Sequence, residues 1–174
     1  MRNQTERAFL ALTVLVCSAA SLTALPAAAQ QNCSWSNVSD PTRQLITCND
    51  TLKLERTPGS EITIIKGQKN AAPRAIELNN GAIFIDVVPG STPTQIRTPH
   101  AIAAVRGTTY VVDAGQNSTS VFVIKGSVNV SKQGSATSVD LGPGEGVDVE
   151  NDAPLTVKTW PENRVSELLS RFGR

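Results

Sequence analysis

The sequence predicts an all-β protein with one C-terminal α-helix. From about residue 52 onward, short runs rich in Val, Ile and Thr recur, and apolar and polar residues alternate within each run. Gly, Pro, Asn and Asp separate the runs. Alternation with a period of two, interrupted by turn residues every 8–12 positions or so, is typical of short strands in a sandwich or barrel.

The candidate strands share a weak internal repeat. In chain order they lie in EITIIKG, AIELNNGAIFIDVV, TTYVVD, SVFVIKGSVNVS, SVDLGPGEGVDV and PLTVKT. A strand, a glycine-containing turn and a second strand recur around Gly81, Gly126 and Gly144. Units that bury a face by stacking on one another predict a β-solenoid-like fold or a flattened two-sheet β-sandwich. Because the spacing is irregular, a plain antiparallel sandwich is the alternative.

The segment after Trp160 has a different period. Its apolar residues lie on one helical stripe, which consists of Val165, Leu168, Leu169 and Phe172. This spacing predicts an amphipathic helix within residues 159–174, with Pro161 at its first position and Gly173 as its C-terminal stop. We expect the helix to cover an open end of the β structure, because uncovered strand edges invite aggregation. The alternative is that its apolar face binds a partner.

Residues 1–29 have the layout of a secretory signal peptide. Arg2 and Arg7 precede the apolar run AFLALTVLVCSAASLTALP, which ends in the small residues Ala27, Ala28 and Ala29. The run is short and interrupted by small residues, which favours a cleaved signal over a transmembrane span. We therefore expect a periplasmic or secreted protein without a stable membrane span after cleavage.

The exported part is expected to be electrically neutral. The full chain has a formal net charge of +1, and residues 1–29 contain Arg2, Arg7 and Glu6. Their removal leaves acidic and basic residues in equal number, scattered along the chain. Without a basic field to concentrate nucleic acid, we expect no nucleic-acid partner. The remaining length suits one domain with a single core.

Cysteine usage agrees with export. Cys17 leaves with the signal peptide, and Cys33 and Cys48 remain as an even pair. In an oxidising compartment such a pair predicts a disulfide, which would stabilise the fold by about 3 kcal/mol for a loop of this length. We therefore predict a disulfide-closed N-terminal segment at residues 30–59, followed by a β domain at residues 60–158.

The residues do not assemble reaction chemistry. His100 is the only histidine, so a histidine-based metal cluster at ligand spacing is not formed, and no G-x-S-x-G segment marks a nucleophile. The glycines of GPGEG lack the Lys-Ser/Thr of a phosphate-binding loop. The acidic residues from Glu145 to Asp152 lack the order of a calcium loop and are interpreted as a solvated strand edge. The sequence predicts neither an enzyme nor a bound cofactor or metal.

One stretch carries a family resemblance. The chain contains IRTPHAIAAVRGTTYVVDAG, followed by TSVFVIKGSVNVS and SVDLGPGEGVDV, and this order of segments is similar to a FecR-type domain. In that family a TP-x-A-x-x-x-x-RGT-x-(aromatic)-x-V segment precedes a strand-Gly-strand unit and an L-x-x-G-(E/Q) turn. The resemblance covers roughly residues 60–150. The matching residues are Thr98, Pro99, Ala101, Arg106, Gly107, Thr108, Tyr110, Val112, Gly126, Leu141, Gly144 and Glu145.

The resemblance implies a β-rich periplasmic module that interacts with proteins or senses a signal. FecR-type regulators of iron transport sit in the cytoplasmic membrane, where their periplasmic part receives a signal from an outer-membrane siderophore receptor and their cytoplasmic tail controls a sigma factor. This chain differs, since we expect a cleaved signal in place of the cytoplasmic segment and span, and only a short helix after the β region. The family motif contains no catalytic residue.

The RGT residues also have a structural interpretation. Gly107 lies between the strand-like runs AIAAV and TYVV, where glycine commonly permits a bend with positive φ or a close backbone approach. Arg106 offers donors that could hold carbonyls or a carboxylate across that bend, and Thr108 can bond local backbone. We therefore expect the motif to be structural rather than a ligand site.

The sequence thus predicts a non-enzymatic periplasmic interaction or sensing module whose partner is a protein of the cell envelope. A carbohydrate-binding or cell-wall-binding β module is the alternative, since stacked β structures often present such faces. The shortage of aromatic residues, which make up 4% of the chain, counts against this alternative. The oligomeric state is left open.

Overall fold

The all-β prediction is confirmed, since the described residues form thirteen strands and one short helix. The structure is a computed structural model that describes residues 33–48, 50–65, 75–91 and 93–174. The expected signal peptide at residues 1–29 lies outside these residues. Within them, no helix has the length and apolarity needed to cross a membrane. The domain boundaries expected at residues 30, 60 and 159 stay predictions.

The strands are numbered in chain order. The first seven are β1 (Cys33–Ser39), β2 (Thr42–Cys48), β3 (Leu52–Arg56), β4 (Glu61–Ile65), β5 (Ala75–Val87), β6 (Thr94–Arg97) and β7 (Ala101–Val105). The next six are β8 (Thr109–Ala114), β9 (Ser118–Lys125), β10 (Val128–Lys132), β11 (Ser138–Leu141), β12 (Glu145–Glu150) and β13 (Lys158–Thr159). The helix is α1 (Glu162–Ser170).

The strands form one curled, open sheet with two halves. Half A has the order β1-β2-β3-β5-β8-β9-β12-β13, and half B has the order β4-β5-β6-β7-β10-β11. The long strand β5 belongs to both, because its residues 75–80 pair in half B and its residues 81–87 pair in half A. All pairings are antiparallel except that of β5 with β6. Among the described strands the solenoid is not confirmed, and the two halves belong to one curled, open sheet.

The repeated glycines mark crossings between the halves rather than hairpin turns. At Gly81 the chain does not reverse, and β5 runs straight through from half B to half A. Near Gly126 the chain leaves half A after β9 and enters half B at β10, and near Gly144 it returns from β11 to β12. The glycine-containing turns expected at Gly126 and Gly144 are therefore crossings between the halves, and the turn expected at Gly81 is absent because β5 continues through it.

The main core lies between the two halves. It takes alternate residues from the strands of both, such as Ile83, Ile85 and Val112 from half A and Ile96 and Val130 from half B, all of which are buried. The intervening residues of half A are also apolar and face the opposite side of the sheet. Strands such as VFVI in β9 are therefore apolar on both faces, since each face is covered.

The helix α1 covers the outer face of half A. Phe172 is fully buried and lies against Phe84, with ring centroids 5.8 Å apart, while Trp160 stacks on Phe122 at 5.1 Å. The predicted helix is confirmed, although Pro161 precedes its first helical residue. It covers a face of the sheet instead of the open end that we expected. The alternative of an apolar face presented to a partner is not observed, because that face is packed against the sheet.

Arginines attach the helical segment to carboxylates of the sheet. Arg164 donates to Asp148 in a bidentate pair, with Nη1 2.9 Å from Oδ2, and its guanidinium also lies 3.4 Å from the Trp160 ring centroid. Farther along, Arg174 donates to Glu55 at 2.6 Å. The hydrogen bonds from Arg164 hold the pKa of Asp148 below its ordinary value, against the opposing effect of burial. Burial also acts to raise the pKa of Glu55, but the bonds from Arg174 and Arg43 outweigh it and lower that pKa.

These pairs predict acid lability of the helix. A carboxylate whose folded pKa is depressed stabilises the fold above its unfolded pKa of about 4, and this contribution is lost as the pH falls through the folded value. We expect the melting temperature to fall between about pH 5 and pH 2, and to fall less steeply in an Asp148→Asn variant that starts from a lower value at neutral pH. Calorimetry over this range measures the slope of melting temperature against pH for the wild type and for Asp148→Asn, and equal slopes contradict the prediction.

The predicted disulfide is present. Cys33 and Cys48 are bonded and join the first residue of β1 to the last residue of β2. The disulfide-closed segment is continuous with the rest of the sheet, because β2 pairs with β3 and β3 pairs with β5.

Candidate functional site

The RGT residues lie where the chain crosses from half B to half A. Gly107 separates β7 from β8 and has φ +62°, a conformation that other residues rarely adopt. A Cβ placed there would lie 2.6 Å from the Cα atom of Pro89 in the loop after β5. The bend with positive φ and close backbone approach that we expected at Gly107 is therefore present.

Hydrogen bonds of Thr108 stabilise this crossing. Its buried hydroxyl lies 2.9 Å from the carbonyl oxygen of Ser127 and 3.2 Å from that of Arg106. Its own carbonyl oxygen accepts a hydrogen bond from the backbone N–H of Val87 at 3.0 Å. The local backbone bonding expected of Thr108 is observed. The bonds of Thr108 also connect this crossing to the loop at Ser127 and to the end of β5 at Val87.

Arg106 has a different environment from the one we expected. Its side chain is exposed, and among the described residues it donates no hydrogen bond to a carbonyl or to a carboxylate. The bend is held by Gly107 and Thr108 without it. The arginine thus lies on a loop whose backbone is bonded through Thr108, and its side chain is exposed to solvent.

The Thr98-Pro99 element forms the turn between β6 and β7. The buried hydroxyl of Thr98 accepts the backbone N–H of Ala101 at 2.9 Å and lies 2.8 Å from the hydroxyl of Thr119 in β9. Since β9 belongs to half A, this contact ties the half-B turn to the opposite layer. Pro99 is exposed at the tip of the turn.

Tyr110 of the motif is a core residue. It is fully buried, and burial raises the pKa of its hydroxyl. Its hydroxyl has no hydrogen-bond partner among the described residues. The phenol therefore remains protonated at physiological pH and is unavailable to a ligand from outside.

The later motif residues are structural as well. Leu141 is fully buried in the core, and Gly144 has φ +80° in the crossing to β12. A carboxylate oxygen of Glu145 accepts the backbone N–H of Gly142 at 2.7 Å and closes the same turn. Gly126 faces the RGT crossing, because a Cβ there would lie 2.9 Å from the carbonyl oxygen of Gly107. Thus Glu145, like Asp148, has a specific partner rather than belonging to a merely solvated strand edge.

Three loops converge around the RGT crossing and form one surface, which we call the RGT end (residues 87–90, 106–109 and 125–127). Its exposed cations are Arg106 and Lys125, and its exposed apolar residue is Val88, at 46% of full exposure. The carboxylate of Asp86 beside it accepts a hydrogen bond from the Thr109 hydroxyl at 3.0 Å. The RGT end therefore combines two exposed cations, with one carboxylate beside them, and an exposed apolar side chain.

The described residues assemble little other chemistry. No three or more His, Cys, Asp or Glu side chains lie close enough together there to hold a metal ion. His100 is buried, and its Nδ1 lies 3.3 Å from the Thr119 hydroxyl oxygen. Trp35 is the one aromatic ring exposed among these residues, so an extended stacking platform for sugars is not formed there.

The sequence profile of the FecR protein family matches residues 37–129, which is more than half of the chain. This chain belongs to the FecR protein family. The resemblance expected from the RGT motif is therefore confirmed. The FecR match begins earlier than the motif alone indicated, inside β1, and it ends before Leu141, Gly144 and Glu145.

Two crystal structures of candidate anti-sigma factors from Parabacteroides distasonis have the FecR chain's fold. The first has a TM-score of 0.63 at 20% identity, over 79% of this chain and 65% of its own length. The second has a TM-score of 0.58 at 19% identity, over 80% of this chain and 61% of its own length. The FecR chain thus spans less than two thirds of either structure. A search among curated proteins finds no match.

Family membership supports a regulatory or signalling module, and the solved structures show the shared fold. Sequence reasoning identified the RGT residues of this FecR protein, but it assigned Arg106 an internal role. Alternation along β7 already indicated the solvent side for Arg106, because it directly follows the buried Val105, but the bonds to carbonyls or a carboxylate that we expected across the bend are not made among the described residues. Its neighbours Val88 and Lys125 were missed because they are distant in sequence.

Proposed function

We propose that this FecR-family chain is a non-enzymatic periplasmic interaction module of envelope signalling, and that its RGT end binds an acidic segment of an envelope protein. The observation that carries the proposal is the exposed Arg106, which lies on a loop whose backbone is bonded through Thr108 and not through the arginine side chain. An arginine guanidinium can hold a carboxylate with two charge-assisted hydrogen bonds.

Two further observations support the proposal. The Cys33–Cys48 disulfide is of a kind that persists in an oxidising compartment such as the periplasm. The two solved structures with this fold are candidate anti-sigma factors, which are regulatory proteins. We therefore place the module in a signalling chain that starts in the envelope, where it contributes binding and no chemical step.

The test is a comparison of arginine variants. Affinity capture from envelope extracts with the wild-type chain identifies the partner, and its affinity is then measured with the purified components. We expect Arg106→Ala to weaken binding roughly 30-fold, equivalent to about 2 kcal/mol for an interfacial hot spot, because it removes a charge that faces the partner's carboxylate. The melting temperature should stay unchanged, since Arg106 makes no hydrogen bond within the described part of the domain.

Arg97→Ala is the matched control. Arg97 is also exposed, but it lies in β6 of half B, where its guanidinium donates a hydrogen bond to Gln95. The Arg97→Ala variant should bind the partner with the affinity of the wild type. Equal affinities of wild type and Arg106→Ala would disprove a role for the RGT end. Retention of the wild type on purified peptidoglycan, at moderate salt and without a protein partner, would favour the cell-wall alternative instead.

A further inference from the structure

The strand β1 is the outermost strand of half A and is open to solvent. Among the described strands it pairs with β2 alone. Four successive residues, Ser34–Asn37, are exposed, so both faces of the strand reach solvent. A strand in this position presents unpaired backbone N–H and C=O groups to any further strand.

The other open edges of the described sheet are shorter or charged. The edge strand β13 has two residues, β11 has four and includes Asp140, and β4 has five and includes Glu61. In contrast, β1 has seven residues, CSWSNVS, without a charge or a proline. Charges, prolines and short length are the usual devices that prevent edge pairing, and β1 has none of them.

The disulfide shows which backbone groups of β1 point outward. Cys33 and Cys48 face each other with their Cα atoms 4.1 Å apart, a spacing typical of a non-hydrogen-bonded pair in an antiparallel ladder. Their backbone groups therefore point away from each other. Because the pattern alternates along the strand, the N–H and C=O groups of Cys33, Trp35, Asn37 and Ser39 all face the open edge.

Trp35 adds an apolar contact at this edge. It lies opposite Ile46 in the register, and Ile46 belongs to the main core with 1% exposure. Trp35 therefore lies on the core-facing side of half A, but its side chain is 51% exposed because the opposite layer does not cover it. An exposed tryptophan beside an unprotected edge indicates an interaction surface.

We propose that β1 pairs antiparallel with β1 of a second copy of the chain, around a two-fold axis at Ser36. In this register the outward residues meet, Trp35 with Asn37 of the second copy and Cys33 with its Ser39. The two Trp35 side chains become diagonal neighbours on the same face, at a Cβ distance of about 7 Å that aromatic rings can bridge. The result is a closed two-fold dimer in which half A continues from one protomer into the other.

The chemistry of β1 favours a second copy over a foreign strand. Like charges placed directly opposite each other oppose self-pairing, and β1 has no charge on either face. A charged partner segment would find no complementary group on β1, whereas the RGT end offers two cations. Self-pairing also covers both exposed tryptophans with one contact. The buried area is small, so the dimer should be weak and dependent on concentration.

Sedimentation equilibrium of the purified protein over a wide concentration range tests the dimer. We expect Trp35→Lys to weaken association at least tenfold while its circular dichroism and melting temperature stay those of the wild type, since the side chain is half exposed. Ser138→Lys, at the exposed edge strand β11, is the matched control and should associate normally. A wild type that is monomeric at all concentrations, or a Trp35→Lys variant that associates equally well, overturns the proposal.

Cysteine cross-linking tests the register. With the axis at Ser36, the Ser36 residues of the two copies form a non-hydrogen-bonded pair, so Ser36→Cys should oxidise to a covalent dimer. Ser34→Cys should not, because Ser34 faces Val38 of the second copy and its own counterpart lies about 13 Å away. Cross-linking of Ser34→Cys alone, or of neither variant, overturns this pairing. A double variant that combines Arg106→Ala with Ser36→Cys should cross-link as Ser36→Cys alone does. This result separates the dimer proposal from the proposal for the RGT end.

Discussion

Gly107→Val is expected to prevent stable folding rather than to impair binding alone. A β-branched residue at φ +62° costs about 1–2 kcal/mol, and its Cβ would lie 2.6 Å from the Pro89 Cα atom, which adds about 1–3 kcal/mol for forced displacement. The total of about 2–5 kcal/mol is a large part of a small domain's stability. Urea unfolding followed by circular dichroism measures the loss.

Gly134→Val separates the two causes. Gly134 has φ +72° in the turn between β10 and β11, and a Cβ there would have no atom within 4 Å. This variant has the backbone strain without the collision, so it should lose only about 1–2 kcal/mol. If Gly107→Val stays as stable as Gly134→Val and loses only partner binding, the structural interpretation of the RGT crossing is wrong.

Phe172→Ala should detach the C-terminal helix from the sheet. The ring of Phe172 is fully buried against Phe84, and removing a buried phenylalanine typically costs about 3–5 kcal/mol. The fluorescence of Trp160, which stacks on Phe122 beside the helix, should shift to the red as its environment opens to water. Equilibrium unfolding in urea, followed by fluorescence and by circular dichroism, measures both effects.

The control for this prediction lies in α1, which ends two residues before Phe172. Glu167 is exposed, and Glu167→Ala should change stability by less than about 0.5 kcal/mol, as is usual for surface substitutions. If Phe172→Ala were equally mild, the packing of α1 on half A would contribute little. The helix would then be free to serve a partner, which was the alternative considered from its sequence.

The secondary structure of this protein could be predicted locally. Strands such as β8 and β9 follow from β-branched residues with a period of two, and α1 follows from a stripe at helical spacing. The pairing of strands could not be predicted in the same way. Around Gly81 the residues Asn79 and Asn80 resemble a hairpin turn, yet β5 continues because β3 and β4 pair along its whole length on one side.

The candidate site was predicted in part. The motif residues Gly107 and Thr108 have the local roles expected of them, because a positive φ and a short hydroxyl side chain act over a few residues. Arg106 was expected to bond inside the domain, but its surroundings depend on loops about twenty residues away in either direction. The backbone groups of those loops bond to Thr108 and not to the Arg106 guanidinium, which is left exposed.

The sequence by itself determined the all-β class, the C-terminal helix, the disulfide pair and the family. Each depends on residue type and short-range periodicity, which are visible in one dimension. Only the tertiary structure decided that the glycines mark crossings between two layers, that α1 covers a face, and that Trp35 faces solvent. The physical reason is that burial depends on which distant strands pack over a residue, and in an open sheet this is fixed by pairing between segments far apart in the chain.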